Sequence, residues 1–400
     1  MARILIPDYL GQHVRAGIRS LARQGDTCDL AWERCRVKSS YIRNFYPITS
    51  SSSDDKEYID DIIGLCKKNT YDFILVFRNE SYYAASRHLD LLQDNGVCAM
   101  VPRFESFTKA HDKQLTYELC RKHNIKTPEI LNRYEESDIA SIARNVNYPV
   151  VIKARSGTGV FRGLRYANNM HELLKYYDEI RLQQANTGAE NFESPLIQEY
   201  IPGYIHDACT LSDNGDVITI LTQVRKLMYP IYGGVGAINV TTHENSLADL
   251  ARKILEELDW HGPAQVEFKY DERDHEYKLI EINPKLWGTL DLSIQVGVDF
   301  PGMIRDILMG KTVARNVPYP EGIRYKFMFP QAVMAYLQLV KEFGLRAVFD
   351  SFTYSKTYYD LDPEDCLFDL NRVRNVVRTL FREGFRSPND NLGKSHINSL

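Results

Sequence analysis

The stretch Val266–Thr289, VEFKYDERDHEYKLIEINPKLWGT, decides how the chain is read. Two apolar-rich runs flank a charged segment, which reads as a β-hairpin with its turn centred on Asp274. Equal distance from that centre sets Val266 opposite Ile282, Phe268 opposite Ile280, Glu267 opposite Glu281 and Gln265 opposite Asn283. Side chains alternate faces along a strand, so the apolar set takes one face and the oxygen-bearing set the other. Like charges directly across a sheet repel. A divalent cation between Glu267 and Glu281 would remove that cost. Two carboxylates and the amide oxygen of Asn283 are hard donors suited to Mg²⁺, with Mn²⁺ as a substitute. The bland alternative, a solvated polar face on a half-exposed hairpin, stays open at this point.

Upstream, YPVVIKARSGTGVFRG (148–163) joins Lys153, at the end of an apolar strand, to a turn of small residues. Backbone N–H groups in such a turn approach phosphate oxygens closely, and Lys153 adds a point charge. The pattern G-x-x-x-x-G-K-[ST] is absent. A protein kinase would place its glycine loop before the lysine strand and carry H-R-D and D-F-G later, and neither tripeptide occurs here. The glycine turn lies between two strands, so it is expected to act as a flap.

Composition sets the outer bounds. The 400 residues suffice for two or three domains, and 44% hydrophobic content is enough for a substantial core. A formal charge of −4 gives no reason to expect a nucleic-acid partner. The seven cysteines (Cys28, Cys35, Cys66, Cys98, Cys120, Cys209 and Cys366) are scattered, with no C-x-x-C pair. Reduced, mostly buried thiols in a cytoplasmic protein are expected. The start MARILIPDYLGQH reads as a first strand, not as a signal peptide. No apolar run is long enough for a membrane span.

The order of elements gives the fold class. Over roughly residues 1–105, strand and helix patterns alternate, which implies an open parallel α/β domain. The first turn, PDYLGQH, lacks G-x-G-x-x-G, so a dinucleotide site is not supported. Thr49–Asp55 reads as a loop ending in a helix cap. A helix is expected over about 112–123, strands over 148–154 and 164–167, a helix opened by Ser246, and helices over about 290–309. DNGD (213–216) is a turn signal between antiparallel strands. The aromatic-rich tail after 318 carries two amphipathic helices.

Five segments in this order, KAHDKQLTYELCRKHNIKTPE, YPVVIKARSGTGVFRG, LIQEYIPG, AQVEFK and LIEINPKLWGT, resemble the ATP-grasp superfamily and span about half the chain. INPKLWGT and YYDLDPEDCLFDL further resemble carboxylate–amine ligases of the D-aspartate ligase-like group. The resemblance implies an α/β and α+β architecture: an N-terminal α/β domain (1–105), a two-lobed ATP-grasp domain (106–318, with a nucleotide lobe over about 106–200 and a metal and acceptor lobe over about 201–318), and a C-terminal mixed extension (319–400). It implies that Lys113 and Lys153 contact ATP phosphates. Ser156, Gly157, Gly159 and Gly163 would belong to a lid. Glu199, Tyr200 and Ile201 would form the hinge that reads adenine, with His206 near the ribose. Glu267, Glu281 and Asn283 would hold Mg²⁺. The family has Arg after Asn-Pro where this chain has Lys285, which keeps the charge but not the bidentate fork.

The implied chemistry is activation of a carboxylate as an acyl phosphate, followed by attack of an amine. Arg225 and Lys285 are the expected catalytic residues, orienting the substrate carboxylate and its phosphorylated form. Partners are expected to be small-molecule carboxylate and amine substrates, with a homodimer as the candidate assembly. Two alternatives stay open: an ATP-grasp enzyme that uses bicarbonate, although no biotinyl-carrier segment is visible, and a nucleotide-binding protein without turnover.

Overall fold

The computed structural model describes residues 1–34, 39–132, 138–156, 163–185, 194–231, 233–346 and 356–383. Its strands form three sheets. The first contains β1 (Arg3–Ile6), β2 (Thr27–Ala31), β3 (Ile42–Tyr46) and β4 (Phe73–Ile74) in the order β3-β2-β1-β4, all parallel. Ile4 and Ile6 pack on one face with Val14, Ile18 and Leu21 of the helix Gln12–Arg23. Leu5 points the other way, into a core with Ile59 and Ile62 of the helix Asp55–Lys68. Period two in the strand and period 3.6 in the helices thus give the expected sheet with helices on both faces. Asp54 caps the second helix by accepting from the Glu57 N–H at 2.9 Å.

Two details differ from expectation. The segment after the helix Leu89–Asp94 is not a strand, although the Ile74 N–H donates to the Cys98 carbonyl at 2.9 Å. The edge is instead supplied by β3, whose sequence IRNFY has no clean apolar alternation because its side chains are mostly half-buried.

A three-stranded antiparallel sheet, β6-β5-β7, comprises β5 (Val150–Lys153), β6 (Leu164–Ala167) and β7 (Leu196–Glu199). The third sheet has seven strands in the order β12-β11-β8-β9-β10-β13-β14. These are β8 (Ile205–Asp213), β9 (Asp216–Tyr229), β10 (Val235–Thr242), β11 (Gly262–Asp271), β12 (Glu276–Asn283), β13 (Arg324–Lys326) and β14 (Thr357–Tyr359). The helix after β10 starts at Asn245 and follows Glu244, without a side-chain cap; Ser246 lies inside it. The last two strands come from the segment after 318, which therefore extends this sheet.

That segment is also tied to the N-terminal helix by buried charges. Arg15 donates to the Asp360 carbonyl at 2.8 Å and pairs with Asp369 at 3.0 Å. Arg19 lies between Asp291 and Asp362, all three nearly excluded from solvent. Cys28, Cys120 and Cys209 are buried thiols, whereas Cys98 and Cys366 are exposed. Among the described residues, no helix is long and apolar enough to cross a membrane.

Breaking a buried ion pair from one side leaves an uncompensated charge, which costs about 3–5 kcal/mol. Arg19→Met should therefore lower the urea midpoint strongly, by about 3 kcal/mol or more in unfolding free energy. A loss under about 1 kcal/mol would mean that Asp291 and Asp362 do not depend on this arginine.

Candidate functional site

The hairpin sets its two carboxylates opposite each other, by way of a bulge. Gln265 pairs with Asn283, Val266 with Ile282 and Glu267 with Glu281. The register then shifts by one, so Phe268 faces Leu279 and not the expected Ile280. The bulge lies between the turn and the carboxylates and brings them into opposition; the register set at the turn, where Asp271 faces Glu276, would otherwise put Glu267 opposite Ile280. Across the other edge of β11, Glu267 faces Asp207 of β8, and Asp207 faces Gln223 of β9. Three acids, Glu281, Glu267 and Asp207, thus stand side by side on adjacent strands.

The protein itself supplies cations for this row. Arg225 donates to Asp207 through Nε at 3.1 Å and Nη2 at 2.7 Å, and Nη2 also contacts Glu267 Oε1. Lys113 Nζ lies 3.1 Å from Glu281 Oε2. Asn283 Nδ2 donates to Glu267 at 2.7 Å, and Gln223 Nε2 donates to Asp207 at 2.8 Å. The repulsion expected from sequence is therefore already offset by Arg225 and Lys113. Burial, with Glu281 and Asp207 adjoining, pushes the Glu267 carboxyl up despite Arg225. Glu281 moves the other way: against burial, Lys113 and Lys153 hold it low. Arg225 is clamped between two carboxylates while it lines the cavity.

Lys113, Arg225, Glu267, Glu281 and Asn283 line a cavity of about 480 Å³. Lys153, at the end of β5, lines it too, and burial lowers its pKa despite Glu281. Lys113 opens the helix Lys113–Lys122, capped by Asp112, which accepts from the Gln114 and Leu115 N–H groups. Arg155 Nε donates to both Asp112 oxygens at 2.8–2.9 Å, which ties the end of β5 to the start of that helix. Ser156 and Gly163 line the cavity, while Gly157 and Gly159 lie outside the described residues.

Glu199, Tyr200 and Ile201 form another wall. The Glu199 carboxylate is engaged by Arg273 at 2.8 Å and by Lys278 at 3.3 Å, so backbone is what this segment can offer a ligand. Lys269, which the sequence reading missed, donates to the Ile201 carbonyl at 2.7 Å and lies 5.1 Å from the Tyr200 ring centroid. Burial and the neighbouring Lys153 lower it to about 8. His206 is not in this cavity. It pairs across the sheet with Phe268, and its ring meets Tyr277 at 5.3 Å on the opposite face, where burial lowers it to about 4. The expected ribose contact is thus excluded by strand parity.

The far end of the cavity is lined by Lys285, Trp287, Asn239 and the glycines Gly233, Gly234 and Gly236, and, from the first sheet's domain, by Tyr9 and by Gln12, His13 and Asn79 at the starts of two helices. Lys285 makes no ion pair among the described residues; burial lowers its pKa, with Glu80 and Asp8 pulling the other way. His13 and His111 are pushed by burial to about 3 and about 4, so both are neutral at pH 7.

Among the described residues, no group of three His, Cys, Asp or Glu side chains is arranged to hold a metal by itself. Mg²⁺ usually takes one or two carboxylates and completes its shell with water and phosphate oxygens. Glu281, Glu267 and the amide oxygen of Asn283, in register on one cavity wall, fit that pattern.

A parallel N-terminal sheet, a small antiparallel sheet and a larger sheet around one cavity form a fold shared with solved structures. Biotin carboxylase from Campylobacter jejuni, solved as a β,γ-ATP complex, superposes with a TM-score of 0.66 at 17% identity, covering 81% of this chain and 74% of that one. A family model described as ATP-grasp in the biosynthetic pathway with Ter operon matches residues 191–328. The C-terminal section of the carbamoyl phosphate synthase large chain of Aquifex aeolicus is 23% identical over 236 residues, 57% of this chain and 42% of that protein. D-aspartate ligase of Enterococcus faecium is 22% identical over 244 residues, 57% of this chain and 58% of that protein. The chain spans about half the length of these curated relatives.

Arg225→Met should destabilise the fold by about 3–5 kcal/mol, because Asp207 and Glu267 would then face each other buried. Adding Asp207→Asn should restore part of that loss, a coupling of about 1–3 kcal/mol in a double-mutant cycle. Simple additivity in urea unfolding would show that Arg225 does not serve this pair.

Proposed function

We propose that the protein is an ATP- and Mg²⁺-dependent ligase that activates a carboxylate as an acyl phosphate and joins it to an amine. One observation carries this reading. Glu267, Glu281 and Asn283 share a cavity wall with Lys113 and Lys153, and Lys285, which makes no ion pair among the described residues, lies further along the same cavity. Phosphoryl transfer requires alignment and charge neutralisation more than covalent protein chemistry. A bound Mg²⁺ would supply charge neutralisation at the β- and γ-phosphates, held by Glu281, Glu267 and Asn283.

The chain's own residues do the rest. Lys153 and Lys113 bind phosphate oxygens, and Lys113, paired with Glu281 at 3.1 Å, can exchange that carboxylate for a phosphate. Backbone groups of Glu199–Ile201 hold the base, with Lys269 fixing the Ile201 carbonyl. Arg225 holds Glu267 in place and opposes the rise that burial gives its pKa. Lys285 holds the substrate carboxylate at the cavity's far end. In the first step a carboxylate oxygen forms a bond to the γ-phosphorus and ADP leaves. In the second, the amine nitrogen attacks the acyl carbon, loses a proton and expels inorganic phosphate. Enclosure of the cavity keeps water from the acyl phosphate.

The test is ADP release with Mg·ATP across a panel of carboxylic acids and amines. Release that requires both an acid and an amine is the expected result, and Glu281→Gln should reduce it by about 10²-fold or more. Release with bicarbonate alone would replace this reading by the carboxylating one. Nucleotide binding without release under any condition would leave a binding protein.

A further inference from the structure

Asn239 is wholly buried, lines the cavity, and has no hydrogen-bond partner for either Oδ1 or Nδ2 among the described residues. An unmet buried amide costs about 1–3 kcal/mol per group, and native proteins keep few of them. Its position is set by the sheet. Asn239 lies opposite Arg225 on β9 and opposite Tyr325 on β13, directly after an irregularity in the β9–β10 register. Such irregularities re-aim side chains beside functional sites. Gly236 passes so close that a Cβ there would come within 2.3 Å of Oδ1 and 2.8 Å of Nδ2. Only a glycine lets the chain lie against the carboxamide in this way.

The surrounding wall narrows the ligand chemistry. Trp287, also fully buried and lining the cavity, has an indole N–H without a partner. The carboxylates lining the cavity are Glu199, Glu267 and Glu281, and each is already engaged by a cation of the protein. Among the described residues lining the cavity, no carboxylate is thus left without a cation for a second ammonium group. Lys285, which makes no ion pair among the described residues, stands here with neutral donors and acceptors.

We propose that Asn239 is a specificity-determining residue that reads a neutral carboxamide group, a side-chain amide or a peptide bond, on a substrate whose carboxylate is held by Lys285. The role of Lys285 rests on the ligase reading above; the role of Asn239 rests on its own unpaired atoms. A carboxamide offers one donor and one acceptor, which matches Oδ1 and Nδ2 together. An isosteric carboxylate offers no donor to Oδ1, and a hydrocarbon satisfies neither atom. A site built to hydrogen-bond a substrate group rejects analogues that lack it, because its own buried groups are then left unpaired.

The experiment is calorimetric binding to the full chain loaded with Mg²⁺ and a non-hydrolysable ATP analogue. The probes are L- and D-asparagine, glycylglycine, and the isosteric aspartates and leucines. At least one amide probe should bind about tenfold or more tighter than its carboxylate and hydrocarbon counterparts. Asn239→Leu should erase that ratio while the affinity for the ATP analogue stays within about twofold. Gly236→Ala, which pushes the carboxamide aside, should erase it too, and serves if the first variant does not fold. Absence of binding by every amide probe, or a ratio unchanged in either folded variant, would overturn the proposal. Amide binding without any ADP release in the substrate panel would count against the ligase reading and leave this one standing.

Discussion

The site depends on one electrostatic arrangement. Three acids, Glu281, Glu267 and Asp207, occupy neighbouring strands at one level of the large sheet. Their mutual repulsion is tolerated because Arg225 bridges the inner two and Lys113 meets the outer one. The balance is asymmetric. Arg225 is fixed by two partners, whereas Lys113 has a single partner at the helix start. The outer carboxylate is thus the one that can exchange its partner for an arriving ion and phosphate, with Lys113 following the phosphate. At Glu267, Arg225 opposes the rise that burial gives the pKa.

The rest of the fold holds this row against a ligand. The small sheet brings Lys153 to the cavity and ends at the Glu199–Ile201 segment, which Lys269 fixes from the large sheet. Asp112 and Arg155 connect the two lysine-bearing elements. The first sheet's domain closes the far end, and the segment after 318 grips the first helix through buried charges around Arg15 and Arg19. The cavity is therefore walled by parts of the chain far apart in sequence, and its shape depends on their packing.

What could be read from the sequence follows from how local each determinant is. The opposition of Glu267 to Glu281 is present as read from the 24 residues of Val266–Thr289, but it rests on a bulge between Glu267 and Phe268 that the sequence reading does not include; the turn alone would set Glu267 opposite Ile280. Asp207 was invisible because its place in the row comes from the β8–β11 pairing, more than fifty residues apart in sequence. The same pairing explains the place of His206: parity within β8 sets Asp207 on the Glu267 side of the sheet, buried beneath Arg225, and its neighbour on the opposite face, beside Tyr277. Arg225 is legible in the sequence as a cation beside the glycine loop, but its pairing with Asp207 and Glu267 is not, because it comes from strands β8 and β11. Lys269 and Asn239 carried no motif. Lys269 follows Glu267 by two residues, so once Glu267 was placed on the polar face, period two alone could have put it in the cavity.

The most direct measurement of the central claim is the affinity of a non-hydrolysable ATP analogue with and without Mg²⁺, for the native chain and for Glu281→Gln and Asn283→Ala. The account predicts that Mg²⁺ tightens binding by about tenfold or more in the native chain and that either substitution removes most of that gain. Equal affinity with and without Mg²⁺, or a gain retained in both variants, would contradict the assignment of this acidic row as the seat of the ion.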